Sequence, residues 1–257
     1  NQLAEDVSEV ALNGNGPNLV TTKAPGVETQ TTKASGVETQ TTVALDEAPA
    51  AGANNTAAFN INSASNNPSQ AGLKQNINNA LAIGNTLVAI EGLQRLLSSE
   101  PTNLKARKKL ASLLFAENRI DQAKLVLQQG LSLHSLQGDL RLMLAKLLTQ
   151  QGSGDSAIQL LKEYSPSAVA QPRYYAYRGA LAQRLGLFSQ AEQDYLLLSN
   201  TESFKAKWWL GLAIAQDSQG NAHQARQSYV RADDGDQLSP QVIQFVHKRI
   251  NDLMGVK

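Results

Sequence analysis

The pattern of apolar and polar positions repeats every 34 residues between residues 70 and 239. Each repeat carries an alanine at the same position: Ala89, Ala123, Ala157, Ala191 and Ala225. Four residues after the alanine comes a large apolar residue: Leu93, Leu127, Leu161, Tyr195 and Tyr229. Five residues before the alanine comes a turn-forming residue: Gly84, Asn118, Gly152, Gly186 and Gly220.

This spacing predicts pairs of helices joined by tight turns. Glycine or asparagine can end a first helix in the left-handed conformation with little strain. Alanine lets a second helix approach the first closely, and the bulky residue one turn later fills the remaining space on the same helix face. The sequence therefore predicts a solenoid of five helix–turn–helix repeats.

The repeats are predicted at 70–103, 104–137, 138–171, 172–205 and 206–239, followed by a capping helix at 240–254. The capping helix has apolar residues at helical spacing: Val242, Ile243, Phe245, Val246, Ile250 and Leu253. No segment alternates convincingly between apolar and polar residues, so no sheet is expected. The predicted fold class is all-α, with residues 70–257 as the folded domain.

Residues 1–69 are predicted to be a disordered, low-complexity linker. They are rich in Thr, Ala, Asn, Gly and Ser, and Phe59 is their only aromatic residue. Such a segment buries too little apolar surface to offset the entropy of ordering. A ten-residue duplication at 21–30 and 31–40 is interpreted as slippage in a linker under little constraint, with a ligand motif as the alternative.

The net charge of +1 hides a division along the chain. Residues 1–69 have two basic and seven acidic residues, whereas residues 70–257 have 21 basic and 15 acidic residues. This balance does not point to nucleic acid. The absence of cysteine excludes disulfides and thiolate sites, and it fits the bacterial periplasm as well as some cytosolic proteins. No apolar run reaches the roughly 18 residues of a membrane span, so an anchor would have to lie upstream of Asn1.

No residue set in the sequence is typical of catalysis, cofactor binding or metal binding. His134 and His223 lie in different repeats and His247 lies in the capping helix, without ligand spacing among them. The string 152–156 resembles a glycine-rich motif, but it falls on a predicted turn, where Ser153 or Asp155 is better explained as a helix cap. The chain is therefore not expected to be an enzyme.

Residues 70–239 resemble the tetratricopeptide (TPR) repeat family. The resemblance depends on the repeat signature: Gly84, Ala89, Ala123, Gly152, Ala157, Gly179, Gly186, Ala191, Tyr195, Trp209, Gly220, Ala225 and Tyr229. It implies a right-handed superhelix of paired helices whose concave groove binds peptides or protein segments. It also implies a core position for Trp209, while the neighbouring Trp208 could pack on the preceding repeat or serve as an exposed anchor for a partner.

In that family, positions 2, 5, 9, 12 and 13 of each first helix face the groove. Transferred to this sequence, the groove residues are Lys105, Lys108, Ser112, Phe115, Asp139, Lys146, Gln150, Arg173, Gln183, Arg184, Lys207 and Asp217. Six of these are basic and two are acidic. The resemblance therefore implies an acidic or carboxylate-bearing partner segment. The alternative is that the charges only keep the solenoid soluble.

A narrower resemblance is to proteins that assemble the mannose-sensitive haemagglutinin (MSHA) type IV pilus. It depends on the Ala/Thr/Asn-rich linker, the divergent repeats and the closing helix around residues 248–253. It implies a non-enzymatic scaffold on the periplasmic face of the inner membrane of a Gram-negative bacterium, with inner-membrane pilus components as partners. The alternative is a soluble, chaperone-like TPR adaptor that binds client peptides or its own acidic tail.

Overall fold

The computed structural model describes residues 69–233 and 238–255, and all regular structure within them is helical. The helices are α1 (Gln70–Ala82), α2 (Thr86–Ser99), α3 (Leu104–Ala116), α4 (Ile120–Leu133), α5 (Gly138–Gln150), α6 (Gly154–Lys162), α7 (Pro172–Arg184), α8 (Phe188–Thr201), α9 (Ala206–Ser218), α10 (Ala222–Asp233) and α11 (Pro240–Met254). They form five pairs and one closing helix, which confirms the predicted fold class. Of the linker predicted at 1–69, residues 1–68 lie outside the described residues, and Ser69 is the N-cap of α1.

Every turn within a helix pair has one residue in the left-handed region. The five residues are Gly84, Asn118, Gly152, Gly186 and Gly220, with φ between 57° and 79°. The residue after each of them donates its N–H to a carbonyl five residues earlier, as Arg119 does to Leu114 at 2.8 Å. This hydrogen bond satisfies a carbonyl that the end of the helix leaves unpaired.

The signature alanines allow the two helices of a pair to pack closely, because all five are completely buried. A glycine contact extends this packing between pairs in the second half of the chain. The Tyr195 ring of α8 lies against Gly179 of α7 and Gly211 of α9. A Cβ at Gly211 would lie 2.6 Å from the ring, so these first helices could not approach Tyr195 as closely with any larger residue.

In the last four pairs, position 4 of the first helix holds a buried residue whose side chain donates to backbone carbonyls. The sequence predicts an aromatic residue there, and Trp209 is buried with its Nε1 donating to the Ser203 carbonyl at 2.8 Å. Arginines occupy the same position in the second and third repeats. Arg107 donates to the Pro101 and Val126 carbonyls, and Arg141 donates to the corresponding Ser135 and Leu160 carbonyls.

The core is most extensive in α7 and α9, which each have nine buried residues, and least extensive in α1, where only Ile77 and Ala80 are buried. The core runs along the whole solenoid, since the partly buried Leu148 and Leu160 pack on both of its halves. The closing helix α11 covers the last pair with Val246 and Leu253.

The helix caps differ in part from expectation. Ser153 occupies the N-cap position of α6, as one of the two predicted candidates, but its side chain makes no capping hydrogen bond; Asp155, the other candidate, lies in the first turn of α6. Ser239 does cap α11, since its hydroxyl accepts from the Val242 N–H at 3.4 Å. Helix α6 is short. The Tyr174 hydroxyl donates to the Leu161 carbonyl in its last turn, and the Tyr175 hydroxyl donates to the Pro166 carbonyl in the connection that follows.

Candidate functional site

The first helices of the repeats, α1, α3, α5, α7 and α9, lie side by side along the solenoid. Two contacts between neighbouring first helices show this arrangement directly. Lys108 Nζ of α3 lies 2.6 Å from Asp139 Oδ2 of α5, and Gln183 Nε2 of α7 donates to the Gly211 carbonyl of α9 at 2.9 Å. Residues at equivalent positions of these helices therefore form one continuous surface, which we call the groove.

Three cations lie near one another on α5, α7 and α9, and we call Lys146, Arg173 and Lys207 the basic cluster. Desolvation lowers the pKa of the Lys146 ammonium, and the nearby Arg173 charge lowers it further. The pKa of Lys207 is also lowered, mainly by desolvation and then by the charge of Lys205; the Glu202 carboxylate opposes this shift, and the Arg173 charge adds to it. The Arg173 charge thus repels the charges of both Lys146 and Lys207.

Aromatic rings position the two lysines of the basic cluster. Lys146 Nζ lies 5.5 Å from the centre of the Tyr177 ring, and Lys207 Nζ lies 4.4 Å from the Trp208 ring. A cation over an aromatic face is attracted by the ring quadrupole. Trp208 itself is buried, and its Nε1 donates to Glu202 Oε2 at 2.9 Å. It therefore packs within the solenoid and is not an exposed anchor.

No carboxylate of the described residues forms an ion pair with a member of the basic cluster. The nearby Glu202 pairs instead with Lys205 at 2.6 Å. Arg173 and Lys207 also stand in the first turns of α7 and α9, where the helix dipole favours a carboxylate. Neither of these first turns has an acidic residue. The cluster is a concentration of positive charge that local structure does not explain.

The other predicted groove residues have different roles. Lys105, Gln150 and Arg184 are exposed on the first helices. Lys108 is paired with Asp139, and the Ser112 hydroxyl donates to the Lys108 carbonyl within α3. Lys108, Asp139 and Ser112 therefore contribute structure or screened charge rather than open cationic surface.

Asp217, predicted to face the groove, instead fastens the closing helix. Its two carboxylate oxygens accept from Arg249 Nη2 at 2.8 Å and from Arg249 Nε at 2.9 Å. The Tyr229 hydroxyl donates to Asp217 Oδ2 at 3.1 Å. Asp217 is thus neutralised from α11, which increases the net positive charge of the groove.

A second concave feature lies on the opposite face, between α2 and α4. This open depression of about 590 Å³ is lined mainly by apolar side chains such as Leu97, Leu125 and Leu133, with glutamines such as Gln122 at its rim. Arg107 lies in its floor, where two carbonyls already accept from the guanidinium. The depression therefore offers apolar contact but no spare charge.

The described part of the chain has neither a candidate metal site nor a helix that could span a membrane. Within residues 69–233 and 238–255, no three His, Cys, Asp or Glu side chains lie together as a metal site would require. None of the helices formed by these residues combines the length and the apolar character needed to cross a bilayer.

No protein-family model and no curated protein matches this chain. Solved structures do match its fold. MamA is 16% identical, with a TM-score of 0.52 over 63% of this chain and 89% of MamA. A tetratricopeptide repeat protein from Parabacteroides merdae is 18% identical, with a TM-score of 0.55 over 72% of this chain and 73% of that protein. YrrB, described as a TPR protein with an unusual peptide-binding site, is 14% identical, with a TM-score of 0.56 over 72% of this chain and 94% of YrrB. The chain has the fold of a TPR solenoid.

Proposed function

We propose that the chain is a non-enzymatic interaction module that binds an acidic segment of a partner protein across α5, α7 and α9. The observation that supports this proposal is the basic cluster of Lys146, Arg173 and Lys207, whose members form no ion pair with a carboxylate among residues 69–233 and 238–255. Carboxylates of a bound segment would offset the repulsion among these cations.

The surface between the cations favours a segment that also has apolar residues. Leu142 and Ile214 are partly buried and stand at groove positions 5 and 9 of their helices. Their remaining exposed surface can be covered by apolar side chains of a ligand. The aromatic contacts already restrict the Lys146 and Lys207 side chains in the free chain, so these side chains lose less conformational entropy on binding. The fold adds support, since YrrB is described as having a peptide-binding site.

The proposal can be tested with a fluorescein-labelled peptide in which glutamate and leucine alternate, measured by fluorescence anisotropy. The test variant is Lys146→Glu with Lys207→Glu. The control is Lys124→Glu with Lys248→Glu, which makes the same charge change on α4 and α11. We expect the test variant to lose at least about tenfold in affinity, or roughly 1.4 kcal/mol, and the control to lose much less. Equal losses would show that net charge rather than the groove attracts the peptide.

The cellular role in the proposal comes from the sequence resemblance to MshN, a protein of the MSHA pilus system. We infer a scaffold on the periplasmic face of the inner membrane that recruits pilus-assembly components through the groove. In a pilus-bearing host, the Lys146→Glu/Lys207→Glu variant should fail to restore pili to a deletion strain, and the Lys124→Glu/Lys248→Glu control should restore them. Restoration by both variants would refute the groove-based scaffold.

The charge division of the sequence favours one further candidate, a soluble adaptor whose groove binds client peptides or its own residues 1–69. That segment has a net charge of −5, opposite to the basic cluster. If it occupies the groove, replacing its acidic residues Glu5, Asp6 and Glu9 by Gln, Asn and Gln should increase affinity for the acidic peptide. Unchanged affinity would exclude occupation by these residues.

A further inference from the structure

The most exposed apolar side chains are concentrated at one edge of the solenoid. Among the described residues, four large apolar residues are at least 70% exposed: Ile83 (78%), Leu136 (70%), Val169 (78%) and Phe204 (70%). The last three lie in the connections between successive helix pairs. We call these connections, residues 134–137, 163–171 and 202–205, the turn edge.

The three side chains belong to corresponding parts of successive repeats. Leu136 and Phe204 occupy the same turn position two repeats apart, and Val169 precedes the equivalent residue of the repeat between them. Packed helices lie about 8–10 Å apart, so stacked connections bring such residues into a row. The row consists of separate apolar tips rather than one continuous patch.

Cations stand in the helix turns that flank these connections, and the nearby carboxylates form ion pairs. Asp139, Glu163 and Glu202 form ion pairs at 2.6 Å with Lys108, Arg141 and Lys205 respectively. By contrast, Lys162, Arg173 and Lys207 stand in the last or first turns of helices that meet this edge, without an ion pair in the described part of the chain. In the described part of the chain these three cations give the helix ends that flank the turn edge a surplus of positive charge.

We propose that the turn edge docks on an anionic lipid surface. Leu136, Val169 and Phe204 enter the boundary between head groups and acyl chains, while the neighbouring cations contact lipid phosphates. Lys205 Nζ lies 5.6 Å from the Phe204 ring, so its charge can reach the head groups when the ring is inserted.

The distribution of charge favours lipid over a protein partner. The centre of a protein interface is depleted in charged residues and has contiguous apolar contact. Here the apolar tips lie in separate connections, and the cations stand in the helix turns that flank those connections. A bilayer interface accepts this arrangement, because each side chain can insert independently and each cation remains at head-group depth.

The test uses the full chain in flotation experiments with two kinds of vesicle, phosphatidylcholine alone and phosphatidylcholine mixed with phosphatidylglycerol. We expect the chain to bind the mixed vesicles and not the neutral ones. The variant Leu136→Ser/Phe204→Ser should need at least about tenfold more lipid for half-maximal binding, because two inserted side chains are lost. Ile83→Ser is the matched control, since Ile83 is as exposed but lies in the opposite turn, between α1 and α2.

Circular dichroism and thermal unfolding should be the same for all three proteins, since exposed side chains are changed. Failure of the unmodified chain to bind mixed vesicles would overturn the proposal, and so would equal binding by the Leu136→Ser/Phe204→Ser variant. The changed residues are outside the basic cluster. Acidic-peptide binding should therefore persist in this variant, and the lipid proposal can fail while the groove proposal stands.

Discussion

Two buried tyrosines differ in one respect that can be measured. The Tyr195 and Tyr174 side chains are both fully buried, on α8 and α7. The Tyr174 hydroxyl donates to the Leu161 carbonyl at 2.9 Å. The Tyr195 hydroxyl has no hydrogen-bond partner among residues 69–233 and 238–255. The same substitution, tyrosine to phenylalanine, should therefore change the free energy of unfolding in opposite directions at these two positions.

The expected magnitudes follow from the cost of burying polar groups. A buried, unpaired hydroxyl costs about 1–3 kcal/mol, so Tyr195→Phe should stabilise the fold by about 1 kcal/mol once partial relaxation is considered. A typical hydrogen bond contributes about 0.5–1.5 kcal/mol, so Tyr174→Phe should destabilise the fold by about 1 kcal/mol. For a domain of this size, a difference of about 2 kcal/mol separates the two midpoints by roughly 4–8 °C.

Thermal and urea unfolding, followed by circular dichroism, measure both variants against the unmodified chain. Burial raises the pKa of Tyr174 to about 12, so its hydroxyl remains a donor throughout the neutral range of the assay. An unchanged urea m-value would show that the denatured state is unaffected. Destabilisation of both variants by similar amounts would refute the reasoning, because it would mean that the Tyr195 hydroxyl is paired.

Three further changes test the packing and the groove. Gly211→Ala places a methyl group 2.6 Å from the Tyr195 ring. Although alanine has the better helix propensity, this overpacking should lower the free energy of unfolding by about 1–3 kcal/mol, measured by thermal unfolding. A higher midpoint would contradict this contact. Asp194→Asn removes the carboxylate charge that lies 2.7 Å from Arg178 Nη2, and both groups are buried. The free energy of unfolding in urea should fall by about 3–5 kcal/mol, because the arginine charge is left unpaired. A loss as small as that for a surface ion pair would argue against a buried one. The pKa of Lys146 is lowered in the free chain, because burial disfavours its charged form. An acidic ligand should therefore raise this pKa, which an NMR titration measures. An unchanged pKa at saturation would place the ligand elsewhere.

The turn and packing residues of the repeats could be predicted because each has one local cause. A left-handed residue is needed wherever a first helix ends, and Asn118 shows that the requirement concerns backbone conformation rather than glycine itself. That Arg107 and Arg141 occupy equivalent positions can also be read from the sequence, since they are 34 residues apart. Their burial could not be predicted, because the family has an aromatic residue at this position and a charged residue is normally expected on the surface. Only the structure shows the carbonyls that accept from the two guanidinium groups.

The charge of the groove was harder to predict because it depends on which side chains neutralise one another. Sequence position alone placed Lys108 and Lys146 in the same class. The structure separates them, since Lys108 is paired with Asp139 while Lys146 lies over the Tyr177 ring. Tyr177 stands outside the transferred groove positions, and a periodic pattern gives no information on the rotamer that brings a lysine over it.

The uneven burial along the solenoid has a consequence for recognition. Helices α7 and α9 have nine buried residues each, compared with two in α1. In stacked repeats, opening begins where neighbours contribute least, so amide hydrogens of α1 should exchange with solvent well before those of α7 and α9. Arg173 and Lys207 thus belong to the helices that have the most buried residues in the described part of the chain. A ligand that binds them meets a preorganised surface, and little of its binding free energy is spent on ordering the protein.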